Sequence, residues 1–168
     1  QNARWSQKEI EEQAYVCRYI IECFKKIRLR EYEEIGPKTI LAGNLLHLKT
    51  EFKVDTKALH FSQLPGILLS LLHPTSAVCG TPKQEAIEWI SKAENHAREL
   101  YSGYLGPVNL GGEIHLFVNL RTLKVEQVEG KSRATYFAGC GITEDSDPEK
   151  EWQETVMKCQ TLQRVLEN

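Results

Sequence analysis

The sequence predicts an α+β fold: an antiparallel β-sheet with helices packed outside it. Three observations carry this. Helical, amphipathic patterns open and close the chain, at residues 6–28 and from Pro148 onward. Residues 100–141 are β-prone and broken by glycine turns, which is how consecutive hairpin-linked strands read. Strands joined by hairpins pair antiparallel, and amphipathic helices must then bury their apolar stripes against them.

At 168 residues the chain is one domain or a large piece of one. Hydrophobic content of 41% and charged content of 26% are ordinary for a globular protein. A net charge of −2 gives no electrostatic case for nucleic acid or an anionic membrane as partner. No apolar run is long enough to span a bilayer, and residues 1–20 do not read as a signal peptide. Cys17, Cys23, Cys79, Cys140 and Cys159 are odd in number and lack C-x-x-C spacing, so free thiols in a reducing cytoplasm are expected. The chain starts at Gln1 without Met and enters a helix almost at once, so an upstream part of the natural protein is expected to be missing.

In the first helix, opened by Ser6 as N-cap, Val16, Tyr19, Ile20, Cys23 and Ile27 form an apolar stripe at helical spacing. Glu12 lies on that stripe, one turn ahead of Val16. A carboxylate aimed at a core must be paired, protonated or metal-bound. The alternative is a wet first turn, where acids also suit the helix dipole. After Gly36-Pro37, residues 38–54 alternate as two strands with Gly43-Asn44 as a tight turn or bulge. His47, between Leu46 and Leu48, is either a ligand-bonding group or a half-buried strand histidine. Residues 61–72 are apolar at helical spacing, and Thr81-Pro82 starts a helix to about Ala97, with Ala86, Ile87 and Ile90 inward. Between them residues 73–82, HPTSAVCGTP, are too rich in proline, glycine and small side chains for a regular element.

Gly111-Gly112 and Glu129-Gly130 mark hairpins. Ile114, Leu116, Val118 and Leu120 alternate as one strand face. Arg121, near a strand end, could grip a carboxylate or be a solvated edge arginine. The most informative stretch is 137–158, FAGCGITEDSDPEKEWQETVMK: a strand, a glycine turn, an acidic loop and a helix. Gly139 and Gly141 flank Cys140 and leave backbone N–H groups approachable. Pro148 suits the first helical position with Asp147 as N-cap. At about 100° per residue, Glu151, Glu154, Thr155, Lys158, Leu162 and Val165 share one face. Charges in line with an apolar stripe suggest a buried polar site that could hold a hard cation or an anion. An ordinary i,i+4 Glu–Lys pair at the wet end of the helix is the other reading.

In order, LLHPTSAVCGTPK, ELYSG, VNLRT and the 137–158 stretch resemble the C-terminal half of the chorismate-utilising enzymes. The resemblance covers nearly the whole chain and is nearest the isochorismate synthase branch, which carries HPTxAxxGxP in the small-residue loop. It implies part of a large α+β sandwich of antiparallel sheets with helices outside, and chorismate as small-molecule substrate. It further implies a magnesium site with Glu12 and Glu151 as ligands and Glu9 and Glu154 as water-mediated partners. Tyr101, Arg121, the N–H groups of Gly139, Cys140 and Gly141, and Lys158 would meet the enolpyruvyl carboxylate. His47 would lie beside the ring near the departing hydroxyl, and Leu120 would pack on the substrate.

Ala77 stands where ammonia-using and salicylate-forming branches carry threonine, so the resemblance implies water as nucleophile and isochorismate as product, whether for menaquinone or a siderophore. The family's lysine base and glutamate acid have no counterpart here and are expected in the missing N-terminal half, without which this chain should not turn over. Gln13 replaces a usual histidine, and Cys140 a usual alanine. The competing expectations are anthranilate, aminodeoxychorismate or salicylate synthesis, or a non-catalytic module that binds a carboxylated metabolite.

Overall fold

The computed structural model describes residues 4–42 and 45–166. The predicted Gly43-Asn44 turn lies outside them. The chain divides into two compact units, Gln1–Ile87 and Glu88–Asn168. The described residues form four helices and eight strands, and every pairing among them is antiparallel. The α+β class therefore holds.

In the first unit, α1 (Gln7–Lys26) starts at a capping box: Glu9 N donates to Ser6 Oγ and Ser6 N donates to Glu9 Oε2. Lys25 and Lys26 in its last turn suit the negative end of the helix dipole. Its inward face buries Tyr19, Cys23 and Phe24. Phe24, Leu29 and Leu64 form the core, with Ile20, Ile27, Tyr32, Phe52 and Leu68 packed around them. The rings of Tyr32 and Phe52 meet Phe24 edge-on, at centroid distances of 5.0 and 5.8 Å. Strands β1 (Glu33–Ala42) and β2 (Leu45–Lys53) form one hairpin ladder, irregular between Ile35 and Lys38. Gly36 sits at that irregularity with φ +130°, and a Cβ there would lie 2.6 Å from Lys49 O. Gln13 Nε2 ties α1 to β2 through Thr50 Oγ1 at 3.0 Å.

Helix α2 (Leu64–Leu72) begins later than its apolar pattern, because Pro65 sets its first turn and Phe61 packs on the core before it. Helix α3 (Lys83–Ala93) stops short of Ala97. Asn95 and His96, both weak helix formers, follow its end.

In the second unit, β3 (Tyr104–Leu105) pairs with β6 (Phe117–Val118), and β4 (Val108–Leu110) with β5 (Glu113–Ile114). The longest ladder joins β7 (Thr122–Val128) to β8 (Lys131–Phe137). Helix α4 (Pro148–Leu166) closes the unit. Both predicted hairpin turns form, and Gly111, Gly112, Glu129 and Gly130 all take the positive φ that such turns require. The strand face expected from Ile114 through Leu120 is interrupted. The ladder breaks after Ile114, and Asn119 turns the chain by donating its N–H to Gly103 O and its side-chain amide to Leu100 O, both at 2.8 Å. Ile114, Leu116, Val118 and Leu120 are exposed instead of forming one buried face. The ladders are four two-stranded pairs among the described residues, not one continuous sheet. No helix among them is long and apolar enough to cross a membrane.

Candidate functional site

The open end of the β7–β8 hairpin assembles most of the site residues. Thr122 pairs with Phe137, so Arg121 and the 138–141 segment leave the same end of the ladder. Arg121 takes φ +43°, a left-handed backbone that costs a bulky residue energy and concentrates at functional positions. Its guanidinium makes no hydrogen bond or ion pair with another described residue. Thr122 Oγ1, beside it and sealed from solvent, is likewise without a hydrogen bond among them. The N–H groups of Gly139, Cys140 and Gly141 donate to no described residue either. A cation and a row of backbone donors thus flank one strand end.

Tyr101 covers Gly139. A Cβ on Gly139 would fall 2.5 Å from the Tyr101 hydroxyl oxygen, so only glycine admits this approach. The phenol stacks on Phe137 at 6.0 Å and 20° between planes. Arg98 also lies over the ring, 5.7 Å from its centroid. Glu94 fixes Arg98 through a fork of two bonds, 2.8 and 2.5 Å, which holds the Glu94 carboxyl below its usual range. Burial raises the Tyr101 phenol, opposed by Arg98 and aided by Glu94, so the hydroxyl stays a donor. Sequence reasoning missed Glu94 and Arg98; their i,i+4 spacing was the available signal.

Helix α4 brings the acids. Asp147 Oδ1 accepts the N–H groups of Glu149 and Lys150, at 3.0 and 3.3 Å, so Asp147 caps the helix at Pro148 as its sequence requires. Glu151, one turn in, is only 6% exposed. The Cys140 thiol donates to its carboxylate; burial first, then Glu151, hold that thiol above its ordinary value. Lys158 Nζ donates to Glu154 Oε1 at 2.6 Å and to Gly139 O at 2.8 Å. An ammonium has three donors, so one remains for an anion. Along the predicted face Glu154, Thr155, Lys158 and Leu162 are half-buried, while Val165 is exposed. Tyr101, Arg121, Gly139, Cys140, Gly141, Glu151, Glu154 and Lys158 therefore belong to one locality. Leu120 adjoins Arg121 but is 53% exposed.

The remaining candidates lie in the first unit and are not gathered there. Glu9 is exposed and its carboxylate serves the capping box. Glu12 is half-buried, with Oε1 sealed from solvent and 3.7 Å from Lys8 Nζ. His47 is exposed on β2. Strand alternation sets it on the face opposite Thr50 and Phe52, which meet α1 and the core. Ala77 is exposed in a turn of the 73–82 loop. No cluster of three or more metal-ligating side chains occurs among the described residues. Glu151 and Glu154, one helical turn apart, still match the habit of magnesium, which takes one or two carboxylates and keeps its waters.

The family of chorismate binding enzymes matches residues 3–167. Isochorismate synthase EntC of Escherichia coli K12 is 31% identical over 162 residues, 96% of this chain and 39% of that protein. Isochorismate synthase MenF of Pasteurella multocida is 38% identical over 100 residues, 60% of this chain and 23% of that protein. Anthranilate synthase component 1 of a Synechocystis strain is 38% identical over 100 residues, 59% of this chain and 20% of that protein. The chain thus spans 20–39% of the length of these relatives. With a match that runs almost from end to end, the chain belongs to the chorismate binding enzyme family.

Proposed function

We propose that a protein containing this chain is an isochorismate synthase of the cytoplasm, converting chorismate to isochorismate by adding water at C2 with loss of the C4 hydroxyl. The observation that carries the reading is the β7–β8 strand end, from which Arg121 and the 139–141 segment both depart, with Lys158 bonded to Gly139 O and Cys140 against the buried Glu151. Two cations and a row of N–H donors suit a dicarboxylate. Arg121, Lys158, Tyr101 and the Gly139–Cys140–Gly141 backbone would bind and orient the enolpyruvyl carboxylate. Leu120 would lie against the ring and His47 near the leaving hydroxyl.

Glu12 and Glu151 would hold magnesium, with Glu9 and Glu154 as its water-mediated partners. The ion would supply positive charge for the ring carboxylate. Cys140 keeps the Glu151 carboxylate oriented by donating to it. Ala77 offers no hydroxyl in the small-residue loop, which favours water as nucleophile over ammonia. The base for the water and the acid for the leaving hydroxyl would come from an N-terminal half.

The test is product identity. Chorismate and magnesium given to the whole protein should yield isochorismate, with or without ammonia. Anthranilate in ammonia, or pyruvate release alone, would refute the reading of Ala77.

A further inference from the structure

Two residues outside the 73–82 loop bond to backbone carbonyls at its start and just before it. Helix α2 ends at Leu72 with its last carbonyls unbonded within the helix, as every helix does. Tyr19, 9% exposed on α1, donates its hydroxyl to Leu71 O at 2.8 Å, with Leu72 O at 3.2 Å and Pro74 O at 3.4 Å. Lys83, first residue of α3, donates Nζ to His73 O at 2.9 Å and to Leu71 O and Tyr19 Oη at 3.2 Å each. A cation there also suits the negative end of the α2 dipole. Inside the loop, the Val78 and Cys79 N–H groups close a turn on Thr75 O at 3.0 and 3.1 Å, and Ala77 is at its tip.

Charge-assisted bonds to carbonyls are the strong kind, and here they bridge three helices. Burial raises the Tyr19 phenol, so it remains a donor throughout the range where proteins fold.

We propose that Tyr19 and Lys83 are positioning residues: a clasp that fixes the 73–82 loop and so sets which nucleophile is admitted beside Ala77. The clasp stands on the geometry alone; its effect on the nucleophile rests on the isochorismate synthase reading.

Hydrogen exchange on the whole protein tests the first part. Lys83→Met should speed exchange of the Val78 and Cys79 amides about tenfold or more, because it removes three bonds at once. The Leu29 amide, bonded to Phe24 O in the core, should not change. Unchanged loop exchange, or equal acceleration at Leu29, would overturn the clasp. If Lys83→Met does not fold, Tyr19→Phe, which loses one hydroxyl, serves the same comparison. The second part is read from products formed from chorismate with ammonia present. Both variants should lower the isochorismate fraction severalfold. A loosened loop with an unchanged product ratio would leave the clasp without a part in selectivity. Wild-type protein that makes no isochorismate would sink the functional reading, and the exchange data would still decide the clasp.

Discussion

In the first unit the buried side chains are Tyr19, Cys23, Phe24, Leu29 and Leu64; in the second, the one buried side chain among the described residues is the carboxylate of Glu151. The first unit follows the ordinary rule, with apolar area removed from water around an aromatic cluster. The second leaves Leu110 72% exposed while it closes over an acid, a thiol, an ammonium and backbone donors. Burying a charge is costly unless it is paired or bound, and the second unit pairs its one buried acid with the Cys140 thiol where the first unit packs apolar side chains. The contrast separates scaffold from chemistry.

The largest expected effect tests the scaffold side. Phe24→Ala should lower stability by about 3–5 kcal/mol in urea unfolding, since it empties the centre of the aromatic cluster. Leu110→Ala, on the exposed surface, should stay within about 0.5 kcal/mol. Similar costs at the two positions would erase the distinction between the units. Glu151→Gln tests the other side: it keeps the shape and removes the buried charge. Magnesium-dependent turnover should fall by more than about 100-fold, while the melting temperature holds or rises. Retained activity would move the metal elsewhere.

A smaller effect probes the contact that shapes the site. Gly139→Ala puts a methyl 2.5 Å from the Tyr101 hydroxyl oxygen, and the ring is held by Phe137 and Arg98. The cost should be about 1–3 kcal/mol. In the Tyr101→Phe background the nearest ring carbon is 3.7 Å away, an ordinary contact, so most of that cost should vanish. A double-mutant cycle measures the difference. Additive costs would mean that Tyr101 does not sit on Gly139.

Local rules explain what was legible beforehand. Ser6, Asp147 and Pro148 announce helix starts because caps are chosen by side-chain chemistry within three residues. Gly111-Gly112 and Glu129-Gly130 announce hairpins because the turn demands positive φ. Glu151 reads as inward because helical period alone aligns it with Thr155 and Leu162. The break after Ile114 could not be read, since alternation shows a face but not whether a partner strand reaches it. The same limit hid the Tyr19–Lys83 contact, which joins residues 64 positions apart. His47 and Glu12 show a further limit. Their patterns mark a face, and β2 turns His47 away from the face that meets α1.

The smallest effect concerns pH and belongs to the loop of the first unit. Burial, then the charge of Lys83, lowers the His73 imidazole below its ordinary value of 6.5. The folded state thus prefers neutral His73, while the unfolded chain accepts a proton near the usual imidazole pH. That contribution is fully present above the ordinary imidazole value and is lost as pH falls through the folded one. Wild-type stability should therefore decline between about pH 7.5 and 5.5 more steeply than that of His73→Gln. Lys83→Met removes the second cause and leaves burial, so its pH slope should lie between the two. Parallel slopes for wild type and His73→Gln would show that the loop stays open to water at His73, and would weaken the picture of a loop held at its start by Tyr19 and Lys83.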